Sequence, residues 1–450
     1  MPDKIDFQRM SDEELAERWR EATRQYVSAV NAMVERGLAT GWQDMDDTPE
    51  PVDNRKPMAH AVLRAVREAS GRNEENLHQR FPRAHAPFLK WIEEKCRSIP
   101  IVRWLDDGRL LIRVGTAYQR GRLFLIDDRE FIPLEADVLA VGRSADRKRY
   151  AIAKTSGIEI RSGWDGDVQA KLDSPTGQEG VPSGYQMEVD ERPPIITQII
   201  PYQRGSRVAL ASPEGIYVID ENGADRLLPS ADEYAEHFAW LENEHPGDPL
   251  SHSLSMEHIA ISPDDRWIAC GHQSDRHQVF DCQSLNKVAE IGHLSEYPHH
   301  AFFNQTGDLL ALNSCHFYNG GTLGVPTKLL PGLDTECYEV DPRFMRLENS
   351  ERVYAAVSRE DEFVIGDAGG YLRAFDFEGN FRWQLFIGSS IGDIDVSADG
   401  KRLAVSTYAG FLSVIELNTG TRDPYQIGTA DHIETRRYVI WKDEDDVIIW

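Results

Sequence analysis

The stretch Asn313-Ser-Cys-His-Phe-Tyr-Asn-Gly-Gly321 sets a thiol, an imidazole, a phenol and two carboxamides within nine residues. Metal centres and nucleophile–base pairs are built from such groups. Histidine gathers around it: ten of the 14 histidines lie between His237 and His316. His272, His299 or His300, Cys315 and His316 are the candidate ligands for a zinc-type ion. No His-Glu-x-x-His and no other paired ligand spacing accompanies them, so no metal and no cofactor is assigned. Cys315-His316 as nucleophile and base, in a hydrolase or lyase, meets the objection that neighbours on a strand point to opposite faces. No catalytic residue is assigned. A binding turn asks less of the geometry. Its candidate contact residues are His272, His299, Cys315, His316, Tyr318 and Asn319, with Asp367 and Tyr408 from comparable turns further on.

Two other patterns fail on context. Gly366-Asp-Ala-Gly-Gly370 has the glycines of a phosphate loop, but no helix follows to hold an anion at its N-terminus. Asp127, Asp220, Asp281 and Asp376 recur once per repeat, which marks them as structural rather than as an acid–base pair.

The framing sequence repeats. Gly392–Gly420 holds three short β-prone runs, Ile394–Val396, Leu403–Val405 and Phe411–Leu417, parted by turns at Ser397-Ala-Asp-Gly400 and Ala409-Gly410. Ser and Asp side chains bond nearby backbone in such turns, and Gly accepts a positive φ. Ser144-Ala-Asp146, Ser262-Pro-Asp-Asp265, Asn304-Gln-Thr-Gly307 and Ser358-Arg-Glu-Asp361 open similar units. Two more, around Leu110–Val114 and Arg207–Ala211, lack the turn but keep the strands. Seven units at roughly 40-residue spacing, each with about four strands, are the signature of a seven-bladed β-propeller.

Three features carry a family resemblance: the Ser-x-Asp turns, the pairs Gly271-His272 and Gly292-His293, and the hydrophobic-Asp endings at Asp127, Asp220, Asp281 and Asp376. On these, residues from about 100 to 430 resemble WD-repeat (WD40-like) proteins, bacterial ones in particular. The repeats are divergent, since Ile or Phe replaces the Trp of the Trp-Asp dipeptide throughout. The resemblance implies a propeller, and a structural hydrogen-bond role for His272 and His293. It implies no activity, because propellers host scaffolds and enzymes alike.

In a four-stranded meander, the loops between strands two and three share a face with the blade-to-blade connections. That rule gathers long insertions at 173–194, 229–257 and 331–350 on one face, together with the turns His272–His277, Asn313–Gly321, Gly366–Gly370 and Thr407–Gly410. Most of the histidines fall in these loops, which are the expected working surface.

Residues 1–98 differ in kind and are expected to form a helical region before a propeller at 99–450. Ser11-Asp-Glu-Glu14 is a capping box. Leu15, Trp19, Ala22, Tyr26, Ala29 and Met33 follow at helical spacing, ending near Gly37 and Gly41. An acidic, Pro-containing linker at Asp44–Lys56 precedes helices over 57–71 and 87–96. Trp19, Trp42 and Trp91 favour helices packed on the propeller over a free-standing bundle. Ser230-Ala-Asp-Glu233 caps a further helix over 231–243, an insertion near 230–245. The tail, Arg437–Trp441 and Val447–Trp450, is expected to pack on or complete the blade near Ile101, with an eighth blade as the alternative.

Composition sets the remaining bounds. Lys plus Arg number 49 against 75 Asp plus Glu, a formal charge of −26. A field of that sign argues against nucleic acid and anionic membranes, and favours a basic partner. Five scattered cysteines without a Cys-x-x-Cys suit a reducing cytoplasm. The N-terminal Met-Pro-Asp-Lys-Ile-Asp carries no apolar signal core, and no long apolar run occurs. The expected protein is therefore a cytoplasmic interaction scaffold, binding a protein partner on the loop-rich face. An immunity-like or regulatory role is the narrower version. The alternative is a propeller enzyme using the Cys315/His316 region.

Overall fold

The computed structural model describes residues 6–43, 45, 48–189, 192–442 and 447–450. Parts of the Asp44–Lys56 linker and of the 173–194 loop therefore lie outside the described residues. From Ile101 onward, seven mainly antiparallel sheets succeed one another, a seven-bladed β-propeller preceded by a helical segment. The blades span 101–133, 138–172, 198–228, 258–291, 297–348, 353–386 and 391–449.

The turn chemistry expected from the repeats recurs at Ser144, Ser262 and Ser397. The Ser262 hydroxyl donates to Asp264 at 2.6 Å and accepts from the Trp267 backbone N–H at 2.9 Å. Ser144 bridges Asp146 and the Arg149 N–H, and Ser397 bridges Asp399 and the Arg402 N–H, each N–H lying 3.0 Å from its serine hydroxyl. In the fifth blade Asn304 plays the part of serine, accepting from Leu309 N–H at 3.0 Å. Ser358 departs from the pattern. Its strand runs on to Arg359, the turn tightens to Glu360-Asp361, and the Ser358 hydroxyl accepts from Gln305 N–H instead. Asp281 and Asp376 accept backbone N–H groups of the turns that follow them.

The chain divides into two compact units. One comprises 1–104, 366–374 and 381–450. Its helices are α1 (Asp12–Thr40), α2 (Ala59–Gly71), α3 (Leu77–Arg80) and α4 (Leu89–Lys95). Ser11 caps α1, and Gly41 closes it in the left-handed conformation with its N–H on Gly37 O. The apolar face of these helices forms one core with Ala409, Phe411, Val439, Trp441, Ile448 and Trp450 of the last blade. Trp19 is fully buried, its indole N–H on Pro82 O at 2.7 Å, whereas Trp42 stays half exposed outside that core. The tail does not build the blade near Ile101. Ile433–Val439 and Ile448–Ile449 instead become the fourth and fifth strands of the seventh blade, where Val439 pairs with Phe411 and Ile448 with Val439. The chain entering Ile101–Trp104 runs beside that blade: Ile99 N–H donates to Thr407 O, and Asp393 and Asp395 accept from the N–H groups of Val102 and Trp104.

The other unit comprises 105–365 and 375–380. Its cores lie between successive sheets, for example Ile216, Ile268 and Phe280, or Val279, Leu310 and Leu323. The inserted helix α5 (Ala231–Glu244) begins at Ser230 with a complete capping box and buries Tyr234 and Phe238 against Met187. Arg226 braces it, donating to the carbonyls of Gly177, Glu179 and Glu214 beneath the Tyr234 ring. The 331–350 stretch is not a plain link between blades. Leu333-Asp334 adds a parallel fifth strand to the fourth sheet, and Met345–Glu348 is the fourth strand of the fifth.

Candidate functional site

The Asn313–Gly321 segment is a longer hairpin rather than a swollen turn. Strand Leu309–His316 pairs residue by residue with Asn319–Pro326, down to His316 opposite Asn319. The ladder reaches this far because Gly320 lets the backbones close: a Cβ there would sit 2.5 Å from the carbonyl oxygens of both Ser314 and Glu351. Only Phe317 and Tyr318 remain for the turn, and they stand 73% and 69% exposed. Phe317 takes φ 53°. A two-residue turn with a positive φ at its first position ordinarily holds glycine there. A left-handed conformation costs other residues roughly 1–2 kcal/mol.

Beneath the tip, a buried network holds it still. Asn313 donates to Gly321 O, Thr322 Oγ1 and Glu351 O and accepts from Val353 N–H, so both ends of its amide are engaged. Arg352 places Nε and Nη2 at 3.1 and 3.0 Å from His299 Nε2. Its Nη1 donates to Phe317 O at 3.2 Å, and its backbone N–H to Tyr318 O at 3.0 Å. His299 Nδ1 lies 2.7 Å from Val353 O, so Nδ1 carries the proton and Nε2 is the lone-pair acceptor. Burial first, and Arg352 next, push its pKa well below the ordinary value. The clamp therefore requires a neutral His299.

Cys315 is buried on its strand and desolvation raises its thiol pKa, the opposite of an activated nucleophile. His316, next to it, is partly exposed with Nε2 3.5 Å from Glu296 Oε2. His272 is buried, its Nδ1 accepting from Ser274 N–H, and burial lowers its pKa. His277, His299 and His300 lie on strands rather than in loops. Among the described residues, no three His, Cys, Asp or Glu side chains converge as a metal site. In the first unit, Asp367 is buried and closes its own turn, accepting from Tyr371 N–H and Arg373 Nε at 2.9 and 2.8 Å. Tyr408 is half-buried, its N–H on Ser390 O.

Sequence reasoning missed Glu257. It stands between Met256, at φ 59°, and His258, just before the inner strand of the fourth blade. Glu257 is 7% exposed, and among the described residues neither carboxyl oxygen has a hydrogen-bond partner. Desolvation lifts its pKa to about 7, against smaller opposing pulls from its own N–H and from Thr197. The Thr197 hydroxyl proton is already committed to Ala211 O. A second missed residue is Tyr118, in the loop between Gly115 and Gly121, whose pKa is raised by desolvation and next by the Glu257 charge. No spacing rule marks either residue. The only hint was a glycine-bounded loop with an aromatic at its tip.

Within this unit the exposed aromatic side chains among the described residues are Tyr118, Trp240, Phe317, Tyr318 and Tyr338. Tyr118, Phe317 and Tyr318 lie in loops between second and third strands. Trp240 lies in the connection between the third and fourth blades. Tyr338 is tied to the loop after the fourth blade, its N–H on His293 O at 2.8 Å and its ring edge-on to His293. All five share the face identified by the meander rule. No family and no curated protein matches this chain.

Proposed function

We propose that the protein is a non-enzymatic interaction scaffold, a divergent WD-repeat propeller of bacterial type working in a cytoplasm. It binds a protein partner with a basic surface on the looped face of the unit formed by 105–365 and 375–380. The observation that carries this reading is Phe317. A bulky aromatic occupies a turn position that favours glycine, stands mostly exposed to water, and is held by Arg352, itself braced on the buried His299. Strain at an exposed, rigidly supported side chain supports a functional role, and aromatic anchors dominate protein interfaces. The five exposed aromatics supply such anchors, and the net charge of −26 steers a basic surface toward them. Absence of a Cys-x-x-Cys and five free cysteines support the reducing compartment. No described helix is long and apolar enough to cross a membrane.

The test is affinity capture from the native host, identification of the bound protein, and titration of the purified pair. Phe317→Gly relieves the backbone and removes the ring. The variant should keep its stability within about 1 kcal/mol and lose partner affinity by about 2 kcal/mol or more, roughly thirty-fold. Unchanged affinity would remove the aromatic turn from the interface.

A further inference from the structure

The fold holds Glu257 firmly in place although, among the described residues, its carboxyl has no hydrogen-bond partner. Leu254 N–H donates to Pro213 O at 2.6 Å, and Gln273 N–H to Ser255 O at 2.8 Å. His258 Nδ1 lies 2.9 Å from Met256 O, and its Nε2 is 3.1 Å from Nδ1 of the buried His277. Ile259 N–H donates to the Gln198 side chain at 2.7 Å. Met256 accepts a left-handed backbone between these tethers. The outcome is one carboxyl, positioned from both sides, whose two oxygens are buried and unbonded among the described residues. Native chains satisfy buried polar groups almost without exception, and an unsatisfied one calls for a missing partner. A carboxylate in low dielectric is stabilised most by a cation carrying N–H donors. The chain supplies none: neither Lys nor Arg among the described residues pairs with Glu257, and the Arg352 guanidinium is committed to His299 and Phe317 O. A metal ion is disfavoured, since no three ligating side chains converge and His258 is already engaged at both ring nitrogens.

We propose that Glu257 receives one cationic side-chain group, a guanidinium or an ammonium, from the protein docked on this face. The inference rests on the docking reading above and names the chemistry at its centre. Tyr118 lies within electrostatic reach of Glu257. Its ring is 54% exposed, its hydroxyl senses the Glu257 charge, and it sits on a short loop bounded by Gly115 and Gly121. Arg113 fixes the base of that loop through the carbonyls of Thr116, Ala117 and Gln119. The Tyr118 ring offers the incoming cation an aromatic face before the carboxylate takes it.

The experiment is calorimetric titration of the full chain with N-acetyl-arginine amide, N-acetyl-lysine amide and the neutral N-acetyl-citrulline amide, at constant ionic strength. A cationic probe should bind saturably, and citrulline at least ten-fold more weakly. Glu257→Gln should weaken the cationic probe at least ten-fold. Glu378→Gln, which removes one exposed charge from a turn between third and fourth strands, should bind like the wild type. Equal binding by Glu257→Gln, or by citrulline, would overturn the site; Glu257→Met with a urea melt guards against a folding artefact. The same probes then compete with the purified partner. Displacement, with ten-fold weaker partner binding by Glu257→Gln, identifies the partner's side chain as the source. Probe binding without displacement would identify a free small amine and overturn the partner assignment. Because probe binding needs no partner, failure of the docking reading would leave this first result standing.

Discussion

Replacing Glu257 by Gln should stabilise the protein, and by an amount that depends on pH. Burial moves the carboxyl from an ordinary 4.5 to about 7 in the folded chain. The sign follows from proton counting. Between those values the folded chain holds a proton that the unfolded chain has released, so stability falls as pH rises from 4.5 through 7. The loss is fully developed above 7 and absent well below 4.5. At 1.36 kcal/mol per tenfold change in acidity it reaches about 3 kcal/mol at pH 8, about 2 kcal/mol at pH 6 and nearly nothing at pH 4. Glutamine keeps the shape and carries no charge, so the variant escapes this loss. Urea melts of both proteins at pH 4, 6 and 8 measure the difference directly, and any contribution from other groups cancels between them. A gap that widens with pH in favour of the variant is the expected result. A gap that is flat with pH, or that widens in favour of the wild type, would show that Glu257 has a partner in the folded chain and refute the reasoning. Removing a useful charge to gain stability is the trade expected at a binding residue.

Three further outcomes follow from the same structure. Burial holds His258 down to about 3 and His252 and His300 to about 4; each is neutral when folded, so wild-type stability should fall as pH drops from 6.5 toward 4, and an unchanged urea midpoint between pH 7 and 5 would contradict this. Trp19→Ala removes a fully buried indole and its bond to Pro82 O and should cost about 3–5 kcal/mol, read as a lowered thermal midpoint of the unit containing the last blade. In alkylation of the native protein, Cys96 and Cys337, which are partly exposed, should react well before the buried Cys270, Cys282 and Cys315; early labelling of Cys315 would reopen the nucleophile reading.

The repeat chemistry was legible because it is local. The Ser262, Ser144 and Ser397 turns close within five residues on their own backbone, so three or four residue types announce them. Ser11 and Ser230 announced their helices for the same reason. The fate of the tail was not legible. Whether 433–439 joins the first or the seventh blade depends on which edge strand is free, a matter of long-range pairing. The Asn313–Gly321 hairpin reads as loop because its strand residues are polar; their partners come from distant chain, Asn313 bonding Glu351 O and Val353 N–H and the Ser314 hydroxyl accepting from the N–H groups of Leu294 and Ser295. Glu257 was invisible for a deeper reason. Its interest lies in what it lacks, and an absent partner leaves no mark on the sequence.

The central claim is that a partner docks on the aromatic loops. Hydrogen–deuterium exchange on the purified complex tests it most directly. The account predicts protection over 313–321 and 336–340, with no change in the turns at 263–266 and 305–308 between first and second strands. Protection confined to those latter turns, with Phe317 and Tyr318 exchanging as in the free protein, would contradict it.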